Sequence, residues 1–353
     1  MTVPMHGPLP HDAEISERSL PGFDPQRMIR LVKKAVSDCE LDLSGYTVMT
    51  EAASGAYVVT PIAAALAGAK EVIAVTRTTR YGHASDIERH TLTLAAMAGV
   101  PPGTISVVQS KDRRLLASAD IVTNSGHVRP LDAETIGCLK QSAVVPLMFE
   151  AWEIQAGRFD VDLAALQARG IATAGTNERH PNIDVFSYLG LMAVKSLLDA
   201  GIPPFKTRVA VLCDNPFSDY LRRGLEGAGA IVSSGPDFEF LRDGSQPDVL
   251  LVAQRPCWKP VVSADDALWL SRHAPHTVIM QFWGDLDRSM LDTLGLRYWP
   301  EIAPPSGHMA VLPSAVGPEP IIRLQVGGLK VGQVLLKPRE QRTAADMEYI
   351  DAL

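Results

Sequence analysis

The feature that most restricts what this chain can become is the rhythm of its apolar runs. Short apolar stretches alternate with segments of helical periodicity, and the pattern runs twice. In the first round Met28, Leu31, Val32 and Ala35 fall at helical spacing within 25–39. An apolar strand at 46–50 then leads to a helix at 55–67, a strand at 71–76 and a helix near 85–98. Strands at 105–108 and 119–124, a helix near 131–140 and a strand at 143–148 complete the round. The second round starts at Arg208, with strands at 209–213, 230–233, 249–253 and 277–281 and helices at 217–227 and near 264–272 and 286–293. Strands separated by helices of this size pair in parallel, and an unbroken apolar run suits a strand covered on both faces.

Between the rounds, Phe186, Leu189, Met192, Ala193 and Leu197 line one stripe of a helix over 183–199. A last helix near 318–334 follows the Pro- and Gly-rich "APPSGHMAVLPSAVGPEP" and is placed to cross back. Residues 1–22 and 337–353 read as loose or docking tails. The expected fold is α/β: two doubly wound Rossmann-like domains joined by crossing helices, with an interdomain cleft. The division falls at 1–182 for a nucleotide domain and 183–353 for a Rossmann- or flavodoxin-like substrate domain.

Bulk properties narrow the function classes. A chain of 353 residues that is 46% hydrophobic has material for two ordinary cores. No apolar run approaches the ~18 residues of a membrane span, and the first residues, MTVPMHGPLPHDAEISERS, lack the basic start and apolar stretch of a secretory signal. The net charge of −7 argues against a nucleic-acid partner. Cys39, Cys138, Cys213 and Cys257 form no CxxC pair, which suits reduced thiols and a cytoplasmic location. With no HExxH or close Cys/His cluster no metal site is expected, and the G-x-S-x-G elbow of serine hydrolases is missing.

The stretch "TEAASGAYVVTPIAAALAGAKEVIAVTRTTR" (50–80) reads strand, turn, helix, strand. Its turn stands where nucleotide-binding folds hold a diphosphate, with Gly55 in the middle position of a G-x-G-x-x-G fingerprint and Ser54, Ala56 and Tyr57 around it. A missing side chain at that position lets phosphate approach the helix N-terminus. The end of the second strand carries Thr76, Arg77, Thr78 and Arg80 in place of the acidic residue that binds an NAD ribose. Hydroxyls and guanidinium forks suit a 2′-phosphate, so NADP is the expected cofactor, with NAD possible. The same feature weighs against S-adenosylmethionine, whose sites also rely on a carboxylate there.

Further along, "SADIVTNSGHVRPLDAETIGCLKQSAVVPLMFEAWE" (118–153) resembles the second half of an NAD(P)-binding domain in the D-2-hydroxyacid dehydrogenase and alanine dehydrogenase-like superfamily. "DVDLAALQARGIATAGTNERHP" (160–181) is similar to the stretch before the crossing helix in the hydroxyacid enzymes. The likeness spans roughly 46–230, lacks the three-glycine fingerprint in both rounds, and shows no copy of that family's Arg, Glu and His catalytic segments. It implies a two-domain oxidoreductase with Asn124, Ser125 and Gly126 near the nicotinamide ribose.

In such sheets ligands lie beyond the carboxyl ends of strands, where four polar clusters fall: 124–129, 149–153, 176–181 and 214–217. Hydride transfer to a carbonyl or imine needs a proton donor, supplied by His127 or His180, with Glu150 or Glu178 orienting it. Arg129 is the candidate to hold a substrate carboxylate, and Asp214 to cap the helix at Phe217. The functional expectation is an NADP(H)-dependent oxidoreductase acting on a small carboxylate-bearing metabolite, in a homodimer. Two alternatives stay open: an S-adenosylmethionine-dependent transferase, and a non-redox small-molecule-binding protein or lyase with an eroded cofactor site.

Overall fold

The computed structural model describes residues 20–353 apart from 80, 81, 156–159, 243, 245 and 258. Twelve strands form two sheets among these residues. The first sheet holds β1 (Thr47–Glu51), β2 (Glu71–Val75), β3 (Ile105–Val108), β4 (Ile121–Val122), β5 (Val144–Pro146) and β6 (Ala172–Thr176). The second holds β7 (Arg208–Leu212), β8 (Ile231–Gly235), β9 (Val249–Ala253), β10 (Val278–Trp283) and β11 (Arg297–Trp299). The remaining strand, β12 (Ile350–Asp351), pairs antiparallel to β6 through Ile350–Thr176 and Asp351–Gly175.

The strand orders are informative. The first sheet runs β12-β6-β5-β4-β1-β2-β3, which, leaving β12 aside, is the 3-2-1-4-5-6 order of doubly wound dinucleotide-binding folds. The second runs β11-β10-β9-β7-β8, the 2-1-3-4-5 order of flavodoxin-like sheets, and every pair in it is parallel. Each order reverses once, between β1 and β4 in the first sheet and between β7 and β9 in the second. Both sheets are covered on two faces, so β1 and β9 are buried at every residue.

The helix Val59–Leu66, VTPIAAAL, is apolar all round because it lies between the sheet and the helices Pro25–Asp38, Ala84–Ala98 and Glu319–Leu336. The helix Glu319–Leu336 rests its backbone on β4–β6 through three glycines. A Cβ at Gly328 would lie 1.9 Å from Met148 Sδ, and one at Gly332 3.0 Å from Ile121.

The chain leaves the first unit after β6 and enters the helix Ser187–Asp199, whose Leu189, Met192, Ala193 and Leu197 join the core of the second unit. This helix packs on Phe217–Gly227 at a Gly190–Gly224 contact, where a Cβ on either glycine would stand within 2.6 Å of the other's Cα. After β11 the chain returns through Pro313–Val316 to Glu319–Leu336 and β12, both on the first sheet. The expected division at residue 182 therefore needs correction at its far end: residues from about 319 onward pack with the first unit. The segment 337–353, expected as a loose or docking tail, docks on the first unit. The helix Ala344–Glu348 has a capping box at Thr343, Lys337 pairs with Asp346 at 2.8 Å, and Tyr349 is buried. The short strands β11 and β12 escape sequence reading because two or three residues carry no period.

Candidate functional site

The turn after β1 is short and tight. Ser54 is extended, Gly55 has φ of +62°, and residues Gly55–Val58 make a tight 3-10 turn that runs into Val59–Leu66. Neither N-cap residue, Ser54 for the turn or Val58 for the helix, caps it with its own side chain. Ala56 is buried and packs inward, and the Tyr57 carbonyl accepts from the Thr60 hydroxyl.

Around the turn the ends of β2 and β4 bring polar groups in. Thr76 is 1% exposed and its hydroxyl has no partner among the described residues; the same holds for Nδ2 of Asn124, 2% exposed. Asn124 Oδ1 is spent, accepting from Met148 N–H at 2.8 Å. Thr50, Thr123 and Ser125 share a buried hydroxyl triangle with edges of 2.6–3.2 Å. Orphaned buried donors are costly and uncommon, so two at the ends of β2 and β4, near the order reversal, point to an oxygen-rich ligand.

Glu51, the last residue of β1, is a site residue that sequence reasoning misses. It is 4% exposed, and its Oε2 lies where a Cβ on Gly126 would sit, 1.5 Å from that position. Burial raises its carboxyl to about 7, against the pull of Arg129 and a hydrogen bond from the His127 backbone N–H. The sequence does hold a signal for it: a lone carboxylate ending an otherwise uncharged strand, just before a small-residue turn.

The basic residues are partly occupied. One terminal nitrogen of Arg77 donates to the carbonyls of His127 and Arg129, each at 3.2 Å. Lys111 donates to the carbonyl of Val128 at 2.9 Å and to that of Pro130. Together they tie down the loop holding the cis Arg129–Pro130 bond. Arg77 remains exposed, and Thr78 Oγ1 accepts the Ala84 N–H at the start of the next helix. Arg80 lies outside the described residues. Arg129, the expected carboxylate clamp, is paired instead with Asp160 at 3.0 Å.

The catalytic candidates separate. His127 is half-buried beside the β1 turn, and burial, Arg77 and Arg129 push its imidazole below the usual value. Its carboxylate neighbour is Glu51, bonded to its backbone N–H. Glu150, 1% exposed, uses its two oxygens to fix Trp152 Nε1 at 2.7 Å and Arg179 Nε at 3.0 Å. Burial pushes its carboxyl up, with the Trp152 and Arg179 contacts opposing. Glu178 is buried where Val185 N–H returns to its carbonyl. His180 is a packing residue: it stacks on Tyr349 at 3.8 Å and its Nδ1 accepts the Asn182 N–H. Burial lowers its affinity for a second proton.

The first unit meets the second through Trp152. Its ring touches Phe217 at 5.9 Å and Trp283 at 5.2 Å, and Arg255 lies 5.8 Å over it. Asp214 does not cap the helix at Phe217; Asn215 accepts that N–H, and Asp214 accepts from Arg255 N–H at 3.0 Å. Of the four end-of-strand clusters, three contribute to this junction and 124–129 folds onto the β1 turn. The Pro/Gly loop with His308 is strapped down by Asp285 on Gly307 N–H and Trp283 Nε1 on the Gly307 carbonyl, as befits a connector. A cavity of about 380 Å³ opens beside Trp152, lined by Ile154, Leu163 and Asp351 among others. Among the described residues no group of metal-ligating side chains gathers, and no helix is long and apolar enough to cross a membrane.

No family model and no curated protein matches this chain. Solved structures do. A dipicolinate synthase polypeptide from Bacillus halodurans is 14% identical, with 84% of this chain and 100% of that one covered at a TM-score of 0.52. Its counterpart in the dipicolinate synthase of Bacillus subtilis is 12% identical, with 84% and 97% covered, also at 0.52. A transhydrogenase from Sinorhizobium meliloti matches at 12% identity over 82% and 95%, with a TM-score of 0.47. The chain thus has the two-domain doubly wound fold of Rossmann-type proteins that its strand orders describe.

Proposed function

We propose that this protein is an NADP(H)-dependent oxidoreductase acting on a small carboxylate-bearing metabolite held between its two units. The observation that carries the proposal is the uncapped turn at Gly55 standing where the first sheet reverses its order. The residues present fit the cofactor. The N–H groups of the Gly55 turn would hold a diphosphate, and the buried Thr76 hydroxyl and Asn124 amide lack protein partners among the described residues. The guanidinium nitrogens of Arg77 not used on carbonyls would be available, at the end of β2, to a 2′-phosphate. When bound, the nicotinamide would supply the hydride.

The protein's part is to position and to manage protons. His127, beside the turn and neutral near pH 7, exchanges a proton with the substrate oxygen or nitrogen. With its carboxyl raised to about 7, Glu51 would carry less than a full negative charge beside a bound diphosphate at neutral pH. The fold is shared with dipicolinate synthase, whose name denotes synthesis of a small carboxylate, which supports the substrate class.

Calorimetry with NADPH and NADH tests the reading. NADPH is expected to bind about tenfold more tightly, the scale of one charge-assisted guanidinium–phosphate contact, and Arg77→Ala to erase the difference. Equal affinities before the substitution would remove NADP preference, and binding of neither would remove the redox assignment.

A further inference from the structure

The second sheet has its own order reversal, between β7 and β9, and the loops leaving those two strands carry Asp214–Asn215 and Gln254–Arg255. Ligands of flavodoxin-like sheets lie at this place. What stands there is a guanidinium whose partner is aromatic. Among the described residues, Arg255 has no carboxylate ion pair, and its side chain lies over the Trp152 ring of the other unit at 5.8 Å. Its backbone N–H donates to Asp214 Oδ1 at 3.0 Å, in the loop that leaves β7, which places it at the reversal.

Trp152 is in turn fixed by Glu150, and the same carboxylate fixes Arg179, which also covers the Phe186 ring at 5.9 Å. A single buried acid therefore sets a second guanidinium beside the ring that Arg255 covers. Three acids nearby are already engaged by N–H donors. Glu150 accepts from Trp152 and Arg179, Asp214 from Arg255 N–H and the Asn215 amide, and Asp351 from Ala151 N–H. Among the described residues, the Arg179 guanidinium spends only Nε, on Glu150, and Arg255 spends only its backbone N–H, on Asp214. The terminal fork of each guanidinium keeps the geometry that grips a carboxylate through two parallel hydrogen bonds.

We infer that the interdomain junction is a binding site for a small dicarboxylate, with Arg255 holding one carboxylate, Arg179 the other, and Trp152 flooring the chain between them. This deepens the proposed function by naming the substrate class and the residues that select it. It rests on the reading of the cleft as the substrate site, but not on the cofactor. Arg129, tied to Asp160, is replaced as the anion anchor by two residues that sequence spacing did not bring together.

The test is binding without nucleotide. 2-Oxoglutarate is titrated against its one-carboxylate counterpart 2-oxobutyrate by calorimetry, with tryptophan fluorescence recorded in parallel. The dicarboxylate is expected to bind at least tenfold more tightly and to change the emission. Arg255→Gln is expected to abolish that preference, Arg255→Lys to restore part of it, and Trp152→Phe to retain binding while losing most of the fluorescence change.

Equal affinity for both acids, or dicarboxylate affinity unchanged in Arg255→Gln, would overturn the inference and leave Arg255–Trp152 as an interdomain packing contact. Thermal melting of each variant separates loss of fold from loss of binding. Because no nucleotide is present, failure here leaves NADPH binding intact, and failure of NADPH to bind leaves this result standing.

Discussion

Replacing Glu51 by Gln tests whether the end of β1 holds a buried acid or an exposed one. The carboxyl lies at 4% exposure against Gly126, and burial lifts it from 4.5 to about 7. Between those values the folded protein binds a proton that the unfolded chain has released. Stability from this group is therefore greatest below about pH 4.5, falls as pH rises, and levels off above 7. At ~1.4 kcal/mol for each pH unit, the span corresponds to about 3 kcal/mol lost between acid and mildly alkaline solution. Glutamine has the shape of the protonated acid and cannot ionise, and its carbonyl can still accept the His127 N–H. Urea unfolding at half-unit steps from pH 5 to 8 is the assay. The two proteins should match near pH 5 and diverge until Glu51→Gln is more stable by about 3 kcal/mol at pH 8. Profiles that stay parallel across the range would refute the burial argument.

Three further outcomes follow from the same structure. Gly126→Ala should cost about 2–3 kcal/mol, because its Cβ would fall 1.5 Å from Glu51 Oε2, and pairing it with Glu51→Ala should recover part of that loss in a double-mutant cycle by denaturant melting. Gly190→Ala should destabilise the second unit by at least ~2 kcal/mol, since its Cβ would meet Gly224 Cα at 2.6 Å, and hydrogen exchange should locate the loosening at the helices Ser187–Asp199 and Phe217–Gly227. His180→Phe should leave NADPH and 2-oxoglutarate affinities within about twofold of the parent by calorimetry, because the stack on Tyr349 is a packing contact; a larger loss would return His180 to the site.

Much of the fold is written in local pattern. The strand at 249–253 and the helix at 217–227 lie where periodicity places them, because a strand covered on both faces must be apolar throughout and an amphipathic helix must show its stripe. The turn at Gly55 is legible for a similar reason: a positive φ at a strand-to-helix turn favours glycine, and the sequence supplies one. What a side chain does once folded is less legible. Their place after strands marks Arg77 and Arg129 as anion ligands. Loop 127–130 takes part of one through its backbone carbonyls, and Asp160 takes the other, a partner 31 residues away that no spacing rule selects.

Local sequence is enough to make this chain alternate strand and helix twice over and close its first strand with a glycine turn, because those choices are made by neighbours a few residues apart. Assembly of the whole chain was needed to bury Glu51 against Gly126, to return the last helix and strand to the first sheet, and to lay Arg255 across Trp152. Each of these depends on which distant segments exclude water together, and burial, unlike periodicity, is a property of the assembled chain.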